Sequence, residues 1–185
     1  MTVQRRLVLP GELLADGDYV AGKNAYKQGN RVYASVVGLS NVDGKTVSVV
    51  ALKGCYVPAV GDLVIGEVVD IRLSGWIVDI NSPYAAVLPA SEAFGKSFNS
   101  KKDEMTDFLD IGDIIVAKVA VFDRTRDAVL TIRGGGLGKV SEGHIVKITP
   151  TKVPRVIGRK GSMVSLLQRE TGCNITVGQN GLILV

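Results

Sequence analysis

Metal ligands and disulfide partners are almost absent from this sequence. Of 185 residues two are cysteines, Cys55 and Cys173, set 118 positions apart, and one is a histidine, His144. Neither a zinc cluster nor a disulfide scaffold can be assembled from that set, so no metal and no cofactor is expected, and a reducing, cytoplasmic setting is. Long apolar runs are missing too. The N-terminal stretch MTVQRRLVLPGE has too few apolar residues before Pro10 for a secretory signal, and no run approaches the length that spans a bilayer, so no membrane partner is expected. Aromatic residues are only 5% of the chain, whereas glycine reaches 22 residues. With abundant Val, Ile and Ala, that mixture favours short strands joined by tight turns over long helical bundles. At 46% hydrophobic and 22% charged residues the chain has ample material for packed cores, which excludes a disordered tail.

The net charge of +4 is unevenly spread: the sum is +3 over residues 1–57, −4 over 58–133 and +5 over 134–185. A polyanion is therefore drawn most strongly to the last block, and the middle block must rely on local cations or on stacking.

Punctuation along the chain gives three units. In 1–57 the β-rich runs Arg31–Gly38 and Thr46–Lys53 flank Asp43-Gly44, a hairpin signature, and further turns at Asp16-Gly17 and Gln28-Gly29-Asn30 leave a small all-β unit. In 58–133 the segment VGDLVIGEVVDI (60–71) is echoed 51 residues later by IGDIIVAKVAVF (111–122). Each Gly-Asp closes a turn and feeds a strand with Glu67, Asp70 and Lys118 at outward positions. Two strands lie between the echoes, GWIVDI (75–80) and YAAVLP (84–89). Ser100 can cap a short helix bearing Met105, Phe108 and Leu109, and AVLTIR (128–133) is a fifth strand. Five strands with a helix before the fourth outline an OB-type Greek-key barrel. A glycine-rich joint, 134–138, leads into 134–185. There a strand over His144–Thr149 precedes a short helix capped by Thr151 with Pro154 in its first turn. A second helix follows, capped by Ser162, with Met163, Val164, Leu166 and Leu167 facing inward and Gly172 as its stop; CNITV and LILV are the last strands. The fold class is thus mainly β with a C-terminal α+β domain.

The segment VIGRKGSMV (156–164) carries the chemistry. Gly158 and Gly161 at the ends of a four-residue loop let a sugar-phosphate chain approach bare backbone, Arg159 and Lys160 supply cations, and the next helix offers its N-terminal amides. That is a single-stranded nucleic-acid clamp of the KH kind. It is not a nucleotide-hydrolysing phosphate loop, because no glycine stands five residues before a Gly-Lys-Ser/Thr. Val156, Ile157 and Val164 can line a groove for bases, with a plain core role as the alternative for each.

VIGRKGSMV with LLQRETGCNITVGQNGLI after it resembles a type I KH domain, and residues 58–133 resemble the RNA-binding barrel typified by ribosomal protein S-one. Preceded by a β unit containing LVLPGELL and NRVYASVVG, the whole chain resembles the KH-bearing RNA-binding cap subunits of the archaeal exosome. That resemblance implies a non-catalytic protein. In the family the N-terminal domain docks on a hexameric ring of phosphorolytic subunits, a homotrimeric or mixed cap surrounds the pore, and single-stranded RNA 3′ ends are guided inward. It also implies a further KH helix, and the sequence stops at Val185 before one.

In the barrel, Trp76 and Tyr84 are candidate stacking residues, with burial as the competing role, and Lys118, Arg124 and Arg126 are candidate phosphate contacts. Asp110 and Asp113 invite comparison with a two-metal nuclease, yet Asp62 occupies the same turn in the echoed segment, so a turn role covers both. Asn174-Ile-Thr176 matches a glycosylation sequon by chance, given the absence of a secretory signal. Two other functions stay open on motif chemistry alone: a transcription or translation factor built from the same modules, and a stand-alone nuclease.

Overall fold

The computed structural model describes residues 6–94 and 105–185; the expected cap Ser100 lies outside the described residues. The chain divides into two compact units, 1–54 and 55–185. Among the described residues no helix is long and apolar enough to cross a membrane.

Unit one is built from seven short strands: β1 (Leu7–Val8), β2 (Leu13–Asp16), β3 (Val20–Ala21), β4 (Ala25–Gln28), β5 (Arg31–Ala34), β6 (Gly38–Asp43) and β7 (Thr46–Ala51). They form a four-stranded sheet of order β1-β6-β7-β3 and a three-stranded sheet of order β2-β5-β4. The turn at Asp43-Gly44 is where its residues put it, with Asp43 opposite Thr46, but the partner of β7 is β6 and not the run from Arg31. That run bends at Ser35–Val37. Its first half, β5, pairs with β2 and β4, which buries Val32 and Ala34 completely. Gly38 opens the new strand because a Cβ there would collide with Val49 and Val50. Val8, Ala34 and Val49 form the small core. On the opposite face of the four-stranded sheet the register aligns Leu7, Leu39 and Val50 in one cross-strand row, and Leu7 and Val50 are more than half exposed.

In unit two, β8 (Leu63–Arg72), β9 (Gly75–Asp79), β10 (Ala86–Pro89), α1 (Ala90–Phe94), α2 (Met105–Phe108), β11 (Ile114–Val121) and β12 (Ala128–Thr131) make the barrel. Its order is β12-β10-β9-β8-β11, and a β11–β12 pairing closes it. Closure leaves no edge, and the period-2 pattern sends Val64, Val68, Leu88, Ile115 and Leu130 into one core while Glu67, Asp70 and Lys118 stay outside. The echoed turns are superimposable in chemistry: Asp62 accepts the Ala59 N–H at 3.2 Å, and Asp113 accepts the Asp110 N–H at 2.8 Å. Both aspartates are turn closers.

The glycine-rich joint is not a free tether. β13 (Gly138–Lys139) pairs with β11, and Lys139 Nζ meets Asp113 Oδ2 at 2.5 Å, so the exit from the barrel is tied to its wall. The C-terminal module follows as β14 (Ile145–Lys147), α3 (Val153–Ile157), α4 (Ser162–Thr171), β15 (Thr176–Val177) and β16 (Leu182–Leu184), with an antiparallel sheet of order β14-β16-β15. Three local expectations change. Thr151 sits inside a 3-10 turn, Pro150–Lys152, rather than capping a helix, and α4 begins at Ser162 behind Gly161 with no side-chain cap. Met163, Leu166 and Leu167 are 43%, 41% and 38% exposed rather than inward, because α4 packs on α3 and only that side of it is covered. Gly172 does stop α4, in the left-handed conformation.

Candidate nucleic-acid interface

The loop between α3 and α4 is held in an uncommon backbone path. Gly158 has φ 73°, Lys160 φ 51° and Gly161 φ 78°. At Gly158 any Cβ would stand 2.8 Å from the Met163 backbone nitrogen, so both the dihedral and the space demand glycine there. Lys160 adopts the left-handed region without that licence, a local strain in the loop. Arg159 and Lys160 are exposed, and among the described residues neither enters an ion pair. Behind them α4 presents N-terminal amides that no side chain caps. Two unneutralised cations, bare backbone and a helix N-terminus thus converge on one spot, which suits a phosphate. Val156, Ile157 and Val164 flank the loop half-buried, open enough to touch a base and covered enough to stay in place.

The barrel candidates separate. Trp76 is fully buried, its indole N–H donates to the Leu109 carbonyl at 2.9 Å and its ring lies 5.8 Å from that of Phe108. It is a core residue and not a stacking platform: the largest side chain of the barrel is what fills its interior. Tyr84 is half-buried and meets Phe122 edge-on, 5.0 Å between centroids. Phe122 leads into the turn that carries Arg124 and Arg126, so those two arginines and Tyr84 share one end of the barrel; both arginines and Lys118 are exposed. Asp123 and Asp127 in the same turn offset the two arginines. His144 and the exposed cysteines gather nothing around them: no group of three His, Cys, Asp or Glu residues able to hold a metal occurs among the described residues.

One residue outside the candidate sites matters structurally. Asn180 is fully buried; its Nδ2 donates to the carbonyls of Ile65 at 2.6 Å and Ile80 at 2.9 Å. Its own carbonyl accepts from Asn81 Nδ2 at 2.8 Å, and the Gln179 N–H donates to the Leu63 carbonyl. These bonds fasten the β15–β16 turn to the barrel and so set where the Gly158–Gly161 loop stands relative to it. The signal available in sequence was an asparagine between two glycines, Gly178-Gln-Asn-Gly181, and that pattern equally describes an ordinary hairpin. Nearby, burial and the bond to Asp62 push the Tyr56 hydroxyl above the usual tyrosine range, so it stays a donor at every ordinary pH.

Comparison with known proteins follows the same divisions. A model of the exosome RNA binding protein RRP4 N-terminal domain matches residues 5–53, one of the RRP4 S1 domain matches 55–121, and a KH domain model matches 143–183. The exosome complex component Rrp4 of Methanothermus fervidus is 44% identical over 182 residues, covering 98% of this chain and 80% of that protein. The chain belongs to the Rrp4 family. Rrp4 of Methanobrevibacter smithii is 46% identical over 179 residues, 97% of this chain, and the chain spans 59% of that relative's length. A crystal structure assigned as an exosome complex RNA-binding protein is 50% identical, with a TM-score of 0.67, covering 71% of this chain and 75% of that one. The first two Rrp4 segments meet between residues 53 and 55, where the two compact units also divide.

Proposed function

We propose that this chain is a non-catalytic, RNA-binding component of an exosome-type complex in the cytoplasm, which captures single-stranded RNA 3′ ends and guides them into a hexameric ring of phosphorolytic subunits. The observation that carries the reading is the loop Gly158–Gly161, with its three left-handed residues and two unpaired cations at the start of α4. Arg124, Arg126, Lys118 and Tyr84 give the barrel a weaker second contact, limited by its acidic sum. Rrp4 relatives are named exosome complex components, which supports partnership with an exosome complex; the hexameric ring and a homotrimeric or mixed cap are part of the proposal. Docking falls to unit one, whose Leu7–Leu39–Val50 row is aliphatic and uncharged, with Leu7 and Val50 exposed and Leu39 half-buried between them, the composition of a protein contact rather than of a polyanion site.

The test is a titration of labelled single-stranded RNA against the full chain and against Arg159→Asp/Lys160→Asp, which keeps both glycines. Loss of the two phosphate contacts should weaken binding by at least tenfold and flatten the log-log salt dependence by about 1.4, at roughly 0.7 per contact. Equal affinities would remove the loop from its assigned role, and RNA loss catalysed by the purified chain would overturn the non-catalytic reading.

A further inference from the structure

The β4–β5 hairpin carries an aromatic and basic pattern that neither the barrel nor the C-terminal module uses. From position 26 to 33 it reads Tyr-Lys-Gln-Gly-Asn-Arg-Val-Tyr. Register sets Tyr26 opposite Tyr33 and Gln28 opposite Arg31. Val32 and Ala34 on the other side of β5 are fully buried, so the alternation sends Arg31 and Tyr33, and with them Tyr26 and Gln28, to the open face. There the two tyrosine rings stack, 5.6 Å apart at 23°. Leu13, opposite Tyr33 on β2, is partly exposed and extends the platform. At 44% Tyr26 is the most exposed aromatic among the described residues, which follows from Trp76 lying in the core and Tyr84 against Phe122.

One cation borders the pair. Arg31 Nε donates to Asp16 Oδ2 at 2.9 Å, and its charged form is favoured first by Asp16 and then by Tyr33. Lys27, opposite Val32, points to the other face, where its Nζ donates to the Tyr19 carbonyl. Arg31, paired with Asp16, and the amide of Gln28 opposite it thus lie on the same face as the rings. A flat stacked pair edged by a guanidinium and an amide offers an unpaired base a π surface and its edge hydrogen-bonding partners. A stacked aromatic pair with an adjoining guanidinium and amide has the chemistry of a base-stacking surface, whereas the aliphatic row on the other sheet suits a folded protein partner.

We infer that the Tyr26–Tyr33 platform is a stacking site for bases of single-stranded RNA, a contact on unit one separate from the Gly158–Gly161 loop and the barrel. It rests on the RNA-binding reading above and extends it to the N-terminal unit.

Ultraviolet cross-linking of the full chain to a uridine oligonucleotide, with peptide mapping, tests the site directly. A cross-link within residues 24–34 is expected, lost in Tyr26→Ala and kept in Tyr26→Phe. Affinity for the oligonucleotide should fall about tenfold in Tyr26→Ala, in line with one stacked base, and remain at the wild-type level in Tyr26→Phe. Cross-links confined to other segments, with unchanged affinity in Tyr26→Ala, would overturn this site and leave the loop's role intact. Failure of the wild-type chain to bind RNA at all would overturn both. If Tyr26→Ala instead abolished association with ring subunits while RNA affinity held, the face is a protein contact and the inference is wrong.

Discussion

Asn180 Nδ2 donates to the Ile65 carbonyl at 2.6 Å, a bond between residues 115 positions apart that joins the last hairpin to the first barrel strand. The same amide reaches the Ile80 carbonyl at 2.9 Å. Asn180→Ala would leave two buried carbonyls without donors, at about 1–3 kcal/mol for each group left unsatisfied. Urea unfolding of the variant should show that loss. Hydrogen exchange should quicken at Gln179, whose N–H is bonded to Leu63, before it quickens in the barrel core. Unchanged exchange there would mean that the turn is held by packing and not by these bonds.

At Gly158 a methyl group would stand 2.8 Å from both the nitrogen and the Cβ of Met163, in a residue whose φ is 73°. Gly158→Ala is expected to cost about 1–3 kcal/mol of local stability and to disturb the loop without altering its charge. RNA affinity should fall while the salt slope per remaining contact stays constant, which separates the effect of backbone shape from that of Arg159 and Lys160.

Trp76 is the chain's single tryptophan, and it is completely buried. Its emission should be blue-shifted, resistant to iodide and unaffected by saturating RNA. Trp76→Phe keeps most of the packing but leaves the Leu109 carbonyl without its donor, so stability should drop by about 1–3 kcal/mol with RNA affinity unchanged. RNA-dependent quenching would return this residue to the interface.

Lys139 holds the Asp113 carboxylate below its ordinary pKa of 3.8 through a direct hydrogen bond, which outweighs the opposing effect of burial, with the Asp110 N–H and the Lys139 charge adding to the lowering. A depressed folded-state value means that this contribution is present above the unfolded carboxylate pKa and is lost as pH falls through the folded value. The window is therefore acidic, below about pH 4, and the size is modest because Lys139 is half exposed. In Asp113→Asn, the stability lost on acidification below pH 4 should be smaller than in the wild type, by thermal unfolding across pH 2–6.

Leu39→Glu places a charge in the middle of the aliphatic row on unit one. Because that face points away from the Val8, Ala34 and Val49 core, unfolding temperature and RNA affinity should hardly move. Co-purification with ring subunits should be lost, and its retention would assign docking to another surface.

Much of this architecture is written in short-range pattern. The echoed Gly-Asp turns, the alternation in Val64–Val68 and Ile115–Val119 and the spacing of Gly158 and Gly161 are each decided within a dozen residues, where turn chemistry and strand period act directly. The misses share one cause. Arg31–Gly38 has the composition of one strand, and its break at Ser35–Val37 exists because Val32 and Gly38 find partners in different sheets. Trp76 could have lain on either face of its sheet until Leu109 supplied an acceptor 33 residues away. Met163, Leu166 and Leu167 have helical spacing whether or not anything covers them.

Composition and motif alone determined that this molecule carries strands rather than bundles and that a bare-backbone loop with two cations stands at Gly158–Gly161. Those properties follow from side-chain chemistry and local dihedral preference, which each residue brings with it. Tertiary structure alone decided that the tryptophan is core, that Asn180 clamps two modules and that two tyrosines seven positions apart stack in the open. Burial and long-range hydrogen bonding depend on which segments meet, and that is a property of the closed barrel and paired sheets rather than of any one stretch of chain.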